Sequence, residues 1–236
     1  MRINISCPQC AQAAGGFAVF HVEEIREDGL YTGKCPQGHD LLVATQTLRH
    51  EMLFEIALNA IVDGYRREAI SSFAAAIERF FEFAIGVLAL NRGVSAPIFA
   101  AAWKTVAAQS ERQLGAFTFL YTVSFGEVPR VLNGQMVKLR NDVIHRGLLP
   151  DQKQVIDFGA AAYEVIQAGV RKLRAACIDD VNAALSEHVG EVARKMGSVY
   201  PRAFQVTPTA LNVIQDLSVG YAPFKEVVAR YGISAR

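Results

Sequence analysis

Residues 57–82 read ALNAIVDGYRREAISSFAAAIERFFE. Asp63-Gly64 interrupts an otherwise helical pattern. After it, Ile70, Phe73, Ala74, Ile77 and Phe81 recur at three- and four-residue steps, and Ala84, Ile85 and Leu88 continue the series. That is one unbroken apolar stripe with the period of an α-helix. The stretch therefore predicts two consecutive helices. The first spans residues 46–63 and is ended by Gly64. The second spans residues 65–91 and is ended by Asn91-Arg92-Gly93. Glu78, Arg79 and Glu82 flank the stripe as solvated charges. Of the three, Glu78 lies nearest the apolar edge, placed to orient a basic group in a cleft.

Toward the C-terminus the same period recurs. Ser95-Ala96-Pro97 opens a third helix with proline in its first turn. Residues 109–125 and 133–145 are predicted as two more, separated by a break at residues 126–129. Gly147 and Pro150 stop the second of these. Leu132, Met136, Leu139 and Val143 form its buried face. Asp151 starts a long helix with Ile156, Tyr163, Ile166, Val170, Leu173 and Cys177 on one side. His188 shares a stripe with Leu185, Val192 and Met196, and both it and Cys177 read as core residues. Two short helices are predicted in the last thirty residues. Thr207 caps before Pro208, and Pro223 starts the second. The body is an all-α bundle.

The first forty-five residues differ. Cys7 and Cys10 form C-P-Q-C, and Cys35 opens C-P-Q-G-H, ending at His39. Two knuckles that each offer two ligands complete a tetrahedral Zn²⁺ site. His39 is the fourth ligand in this reading, with Asp40 and His21 as lesser candidates. Between the knuckles, FAVFHVEEI (residues 17–25), the turn Glu27-Asp28-Gly29 and LYTGK predict a hairpin. Gly38 frees the backbone for the tight loop that N–H···S bonds favour. So small a segment buries little core, and a closed four-ligand zinc is structural, supplying folding energy on the order of 10 kcal/mol. The pattern resembles the zinc-ribbon family over roughly residues 4–45. The expected organisation is a zinc-ribbon domain over 1–45 and a helical domain with a C-terminal extension over 46–236. The fold class is mainly α, with a small N-terminal β zinc ribbon.

Half of the residues are apolar, and the formal net charge of +1 makes the chain as a whole no electrostatic trap for nucleic acid. The N-terminus lacks the apolar region of a signal peptide, and the apolar run at residues 83–91 is too short to cross a bilayer. A cytoplasmic protein with no membrane partner is expected, its cysteines serving as thiols or ligands.

Residues 138–147, KLRNDVIHRG, concentrate polar chemistry at a helix end. Asn141 and His145 are four apart and share a face. Arg140 lies about 140° around from His145, within reach through its long side chain. A histidine in the last turn favours imidazolium. Metal-free RNA cleavage needs a base for the 2′-hydroxyl, an acid for the leaving 5′-oxygen, and neutralisation of the phosphorane charge. Histidine suits the first two tasks and arginine the third. One histidine cannot be acid and base at once. A two-fold dimer would present two. A competing reading makes His145 and Arg146 partners of the free carbonyls that end the helix.

Arg140, Asn141 and His145, as R-N-x-x-x-H, resemble the HEPN family, whose helical bundles carry R-x(4–6)-H. Residues 57–82 are similar to that family's first helix pair, and the resemblance covers roughly residues 45–174. It implies a HEPN-like helical bundle acting as a homodimeric, metal-independent endoribonuclease that leaves a 2′,3′-cyclic phosphate. His145 would be the acid/base, Arg140 the transition-state clamp and Asn141 the orienting group. Lys138 and Arg146 make the flanks basic and suited to substrate phosphate. Many relatives are toxins or antiphage defence effectors, so an antitoxin or defence partner protein is implied beside RNA. Gly147 stands where some toxin members carry a tyrosine. The alternative is a non-catalytic HEPN-like scaffold or sensor that docks a partner through its zinc ribbon. There Glu23, Glu24, Glu27 and Asp28 offset Arg26 and Lys34, which suits protein contact better than nucleic acid. A DNA-binding regulator is disfavoured by neutral charge and the lack of a recognition helix.

Overall fold

The structure is a computed structural model. It describes residues 3–10, 18–22, 25–196, 202–205, 209–213 and 220–234, with residues 3–6, 18–22, 202–205 and 233–234 described by backbone alone. In chain order the elements are β1 (Ile3–Cys7), β2 (Ala18–Val22), β3 (Leu30–Lys34), β4 (Asp40–Thr45), α1 (Arg49–Val62), α2 (Arg66–Asn91), α3 (Ala96–Val106), α4 (Ser110–Phe125), α5 (Gly134–Arg146), α6 (Gln152–Ala176), α7 (Ile178–Met196), β5 (Arg202–Gln205) and α8 (Phe224–Ser234). The chain is mainly helical with an N-terminal β region. It divides into two compact units: Met1–Leu48 with Leu185–Pro208, and Arg49–Ala184 with Thr209–Arg236. The first unit thus takes in more of the chain than a ribbon over 1–45. Among the described residues no helix is long and apolar enough to cross a membrane.

In the first unit the predicted turn forms. The Gly29 N–H donates to the Arg26 carbonyl (3.1 Å), and the Asp28 carboxylate accepts from the Leu30 N–H (3.0 Å) and the Arg26 guanidinium (2.7 Å). Its flanking strands do not pair with each other, however. β2 pairs antiparallel with β1, setting Cys7 opposite Ala18, and β3 pairs antiparallel with β4, setting Lys34 opposite Asp40. The Ile-Asn-Ile-Ser alternation of β1 is a strand pattern of its own, and it claims β2. β5 adds to β4 in parallel. It lies in the C-terminal segment, where the sequence pattern predicts only helices. Leu42 and Ala44 of β4 pack with Val192 and Met196 of α7, and Leu30 joins them. This core is small.

The second unit is built around α2. Its stripe (Ile70, Phe73, Ala74, Ile77, Phe81, Ala84, Ile85, Leu88) is buried as predicted. α1 begins at Arg49 rather than residue 46, because β4 continues to Thr45, whose N–H donates to the Gly29 carbonyl (3.0 Å). On α6 the buried face is Val155, Phe158, Ala162, Tyr163, Val165, Ile166, Val170 and Leu173, with Ile156 only half-buried at its margin. Cys177 is buried just past the helix end, as a core residue.

Thr207 and Pro208 lie outside the described residues, and Thr209–Val213 form a turn rather than a helix. The Ala210 N–H donates to Glu55 and the Val213 N–H to Glu51, each at 2.7 Å, and the Tyr231 hydroxyl donates to Glu55. These bonds account for two buried carboxylates on α1. The second predicted short helix is α8, introduced by Pro223.

Two glycines of α6 admit aromatic rings. A Cβ at Gly169 would stand 2.2 Å from Cζ of Phe80, a fully buried ring, whereas one at Gly115 of α4 would meet nothing within 4 Å. Overpacking costs about 1–3 kcal/mol, and alanine gains about 1 kcal/mol of helix propensity. Gly169→Ala is therefore expected to lower stability by about 1–2 kcal/mol, and Gly115→Ala to raise it by up to about 1 kcal/mol. Denaturant titration of the two variants measures the contrast. Equal shifts in the same direction would contradict it.

Candidate functional site

In the first unit, β1 ends at Cys7 and one further turn brings Cys10. β3 delivers Cys35 into the tight turn that starts β4. There the Gly38 N–H donates to the Cys35 carbonyl (2.8 Å) and the Cys35 N–H to the His39 carbonyl (3.1 Å). Gly38 has φ +85°, a backbone only glycine adopts freely. The ligand atoms of Cys7, Cys10, Cys35 and His39 all lie within 4.8 Å of one another. Cys10 Sγ stands 3.7 Å from Cys35 Sγ. His39 Nδ1 lies 3.6, 3.3 and 3.4 Å from the sulfurs of Cys7, Cys10 and Cys35. Tetrahedral Zn²⁺ with Zn–S near 2.3 Å and Zn–N near 2.05 Å puts neighbouring ligands about 3.8 Å (S···S) and about 3.5 Å (S···N) apart. The four side chains therefore fit a zinc ion in both chemistry and spacing.

The backbone prepares the sulfurs. The Cys10 N–H points at Cys7 Sγ (3.5 Å). Burial opposes ionisation of Cys35, but the N–H groups of His39 and Gln37, with the Cys10 and Cys7 thiols, bring it down to about 7. Burial and the neighbouring thiols push Cys10 up to about 12. Of the lesser candidates for fourth ligand, Asp40 is exposed and pairs with Lys34 (3.4 Å). His21 sits on β2 opposite Asn4, its side chain outside the described residues.

In the second unit, α5 presents the R-N-x-x-x-H residues. Asn133 caps its start, accepting from the Met136 N–H, so Leu132 precedes the helix rather than lying on its face. At the other end Gly147 turns left-handed (φ +72°), and the Leu148 N–H closes on the Asp142 carbonyl (3.0 Å). This closure is made by backbone alone. Arg146 pairs instead with the Asp142 side chain (2.9 Å). His145 and Lys138 are exposed.

Arg140 is held on several sides. Its Nη2 donates to Glu78 Oε1 of α2 (2.8 Å) and reaches Ser110 Oγ of α4 (3.5 Å), while Nη1 donates to Asn141 Oδ1 (2.9 Å). Asn141 thus orients the arginine. Glu111, in the first turn of α4, is held below the usual carboxylate range by its own backbone N–H, the Ser110 hydroxyl and the charges of Arg140 and His145. Beside Arg140 lies a cleft of about 130 Å³ lined by Ala74, Ile77, Phe81, Leu114, Leu132 and Val137, with Glu78, Ser110, Glu111 and Arg140 as its polar members.

The structure therefore brings Arg140, Asn141, His145 and Glu78 toward one region and adds Ser110 and Glu111. Those two carry no local signal beyond an ordinary helix start, and their approach to Arg140 is long-range. No protein-family model matches the chain, no curated protein matches it, and no solved structure matches it.

Proposed function

We propose that the helical unit is a metal-independent endoribonuclease of HEPN type that works as a homodimer, and that the N-terminal unit carries a structural Zn²⁺ on Cys7, Cys10, Cys35 and His39. One observation carries the nuclease reading: an oriented guanidinium and an exposed imidazole stand on the same short helix at the edge of a cleft. The last turn of the helix closes through its own backbone onto the Asp142 carbonyl, with no hydrogen bond among the described residues from the His145 ring to a helix-end carbonyl, which favours a role for His145 other than capping.

In the reaction the 2′-oxygen attacks phosphorus and the bond from phosphorus to the 5′-oxygen breaks, leaving a 2′,3′-cyclic phosphate. The 2′ proton passes to one His145 imidazole, and the 5′-oxygen takes a proton from the imidazolium of the second copy. Arg140 neutralises charge on the phosphorane through its positive charge and the N–H groups that its partners leave over, with Asn141 and Glu78 fixing its direction. Lys138 and Arg146 add attraction for the flanking phosphates. Exposed apolar side chains support self-association. Ile98 of α3 is 64% exposed, and Phe119 and Val123 of α4 are 76% and 66% exposed. An action as toxin or antiphage effector, restrained by a partner protein, accords with such a nuclease.

The test is cleavage of RNA by pure protein in chelator, with metal content and folding followed in parallel. Wild type is expected to yield ends that resist alkaline phosphatase. His145→Ala and Arg140→Ala are each expected to lose at least about 10²-fold in rate. Undiminished cutting by His145→Ala would end the proposal.

A second reading, a non-catalytic scaffold docking through the ribbon, is favoured by the pairing of Arg140 with Glu78 inside one chain. It expects Arg140→Ala to lower stability while no RNA is cut by any form.

A further inference from the structure

The cleft beside Arg140 is about 130 Å³. At roughly 30 Å³ per water, that is room for about four waters or one flat ring system. Its walls, among them Ile77, Leu114 and Leu132, are apolar, and its polar groups gather around Arg140. Ligand sites combine such walls with a few converging polar groups. A ligand matching this lining has two apolar faces and a polar edge, as a nucleobase does.

The polar edge discriminates among bases. Both Nη atoms of Arg140 are engaged by Glu78, Asn141 and Ser110. Glu111 is exposed at the first turn of α4 and lines the same cleft. An ionised carboxylate only accepts hydrogen bonds, at two oxygens side by side. Guanine alone of the four RNA bases presents two adjacent donors, N1–H and N2–H, on its pairing edge. Adenine and cytosine set one amine beside a ring acceptor, and uracil sets one N–H between two carbonyls. Two parallel N–H···O bonds to a carboxylate are strong and directional.

We propose that the cleft seats one guanine base, read by the carboxylate of Glu111, next to the phosphate that Arg140 would hold. The position of that phosphate rests on the nuclease reading, but seating of the base requires no chemistry.

Binding is measured with the full chain and short fluorescent RNAs, 2′-O-methylated throughout and therefore uncleavable. Each is an oligouridylate, either unsubstituted or carrying a single guanine, adenine or cytosine. The guanine oligomer is expected to bind at least about tenfold tighter than the others. Glu111→Gln, an exposed substitution that replaces one acceptor with a donor, is expected to erase that preference. Leu114→Trp, which fills the cleft, is expected to erase it too. Equal or undetectable binding of all four oligomers, or a guanine preference that survives Glu111→Gln, overturns the proposal. Cut sites on unmodified RNA separate the two ideas. Guanine-selective binding without cleavage removes the nuclease and upholds the pocket, and cleavage without base preference does the reverse.

Discussion

Cys35→Ser is expected to empty the four-ligand site and unfold the β-rich unit. The expectation follows from where the four side chains sit, at the ends of β1 and β3 and in the turn that starts β4. Leu42, Ala44, Val192 and Met196, with Leu30, form one apolar cluster among that unit's described residues, and Tyr31, Leu41 and Val43 are buried as well. Ordering five strands carries a large cost in conformational entropy. A structural zinc contributes on the order of 10 kcal/mol. If the proposed zinc is bound, losing one of its three thiolates removes most of that, and the strands lose their tie at the ends of β1 and β3, where these side chains sit. Bound metal is expected to fall from about one equivalent to none, by elemental analysis. Amide protection in β3 and β4 is expected to vanish, while protection in α1, α2 and α6 persists. Asp40→Ala is the internal contrast, because Asp40 is exposed and pairs with Lys34, so the metal should stay. Retention of a full equivalent of metal by Cys35→Ser, or undiminished strand protection after chelation, would contradict this account.

Mild acid is expected to destabilise the helical unit through one buried histidine. His50 of α1 is 1% exposed, and its ring lies 5.6 Å from Phe80 and 5.5 Å from Phe83. Burial lowers its pKa from 6.5 to about 3. The folded state therefore keeps the imidazole neutral, while the unfolded chain takes up a proton below about 6.5. Above that pH the term vanishes. Between about 6.5 and 3, each pH unit removes roughly 1.4 kcal/mol, a total on the order of 5 kcal/mol. The carboxyl of Glu127, lowered by the hydrogen bond from Lys172, acts in the same direction but at lower pH, whereas that of Glu55, raised by burial, acts in the opposite one. His50→Leu removes the histidine term. Denaturant unfolding at pH 7, 5 and 4 should show a steep fall for wild type and a shallower one for the variant. Parallel falls would show that another group takes up the proton.

Much of the body was legible in residue order. The stripe from Ile70 to Leu88 buries as its period requires, because a helix maps three- and four-residue spacing directly onto one face. The cluster of Cys7, Cys10, Cys35 and His39 was legible for a similar reason. C-P-Q-C and C-P-Q-G-H each place two ligands within one turn, a local constraint. Glu78 was legible as a charge at the apolar edge, and it meets Arg140 across 62 residues of chain.

Strand partners were not legible. Residues 17–25 and 30–34 flank a real turn, yet β2 turns to β1 and β3 to β4. Pairing energy depends on which strand is available, and INISC is an equally good partner. Arg202–Gln205 has four residues and no turn signal, so its addition to β4 was hidden as well. Ser110 and Glu111 look like any helix start, and only the packing of α4 against α2 carries them to Arg140.

By itself, then, the sequence determined most of the helices, the grouping of Cys7, Cys10, Cys35 and His39, and the placing of Arg140, Asn141 and His145 on one helix, because periodicity, spacing and neighbouring chemistry are properties of a few residues. The tertiary structure alone decided which strands pair, that residues 185–208 join the N-terminal unit, and which carboxylates surround the arginine. Those outcomes depend on contacts between distant segments, whose energies no local pattern encodes.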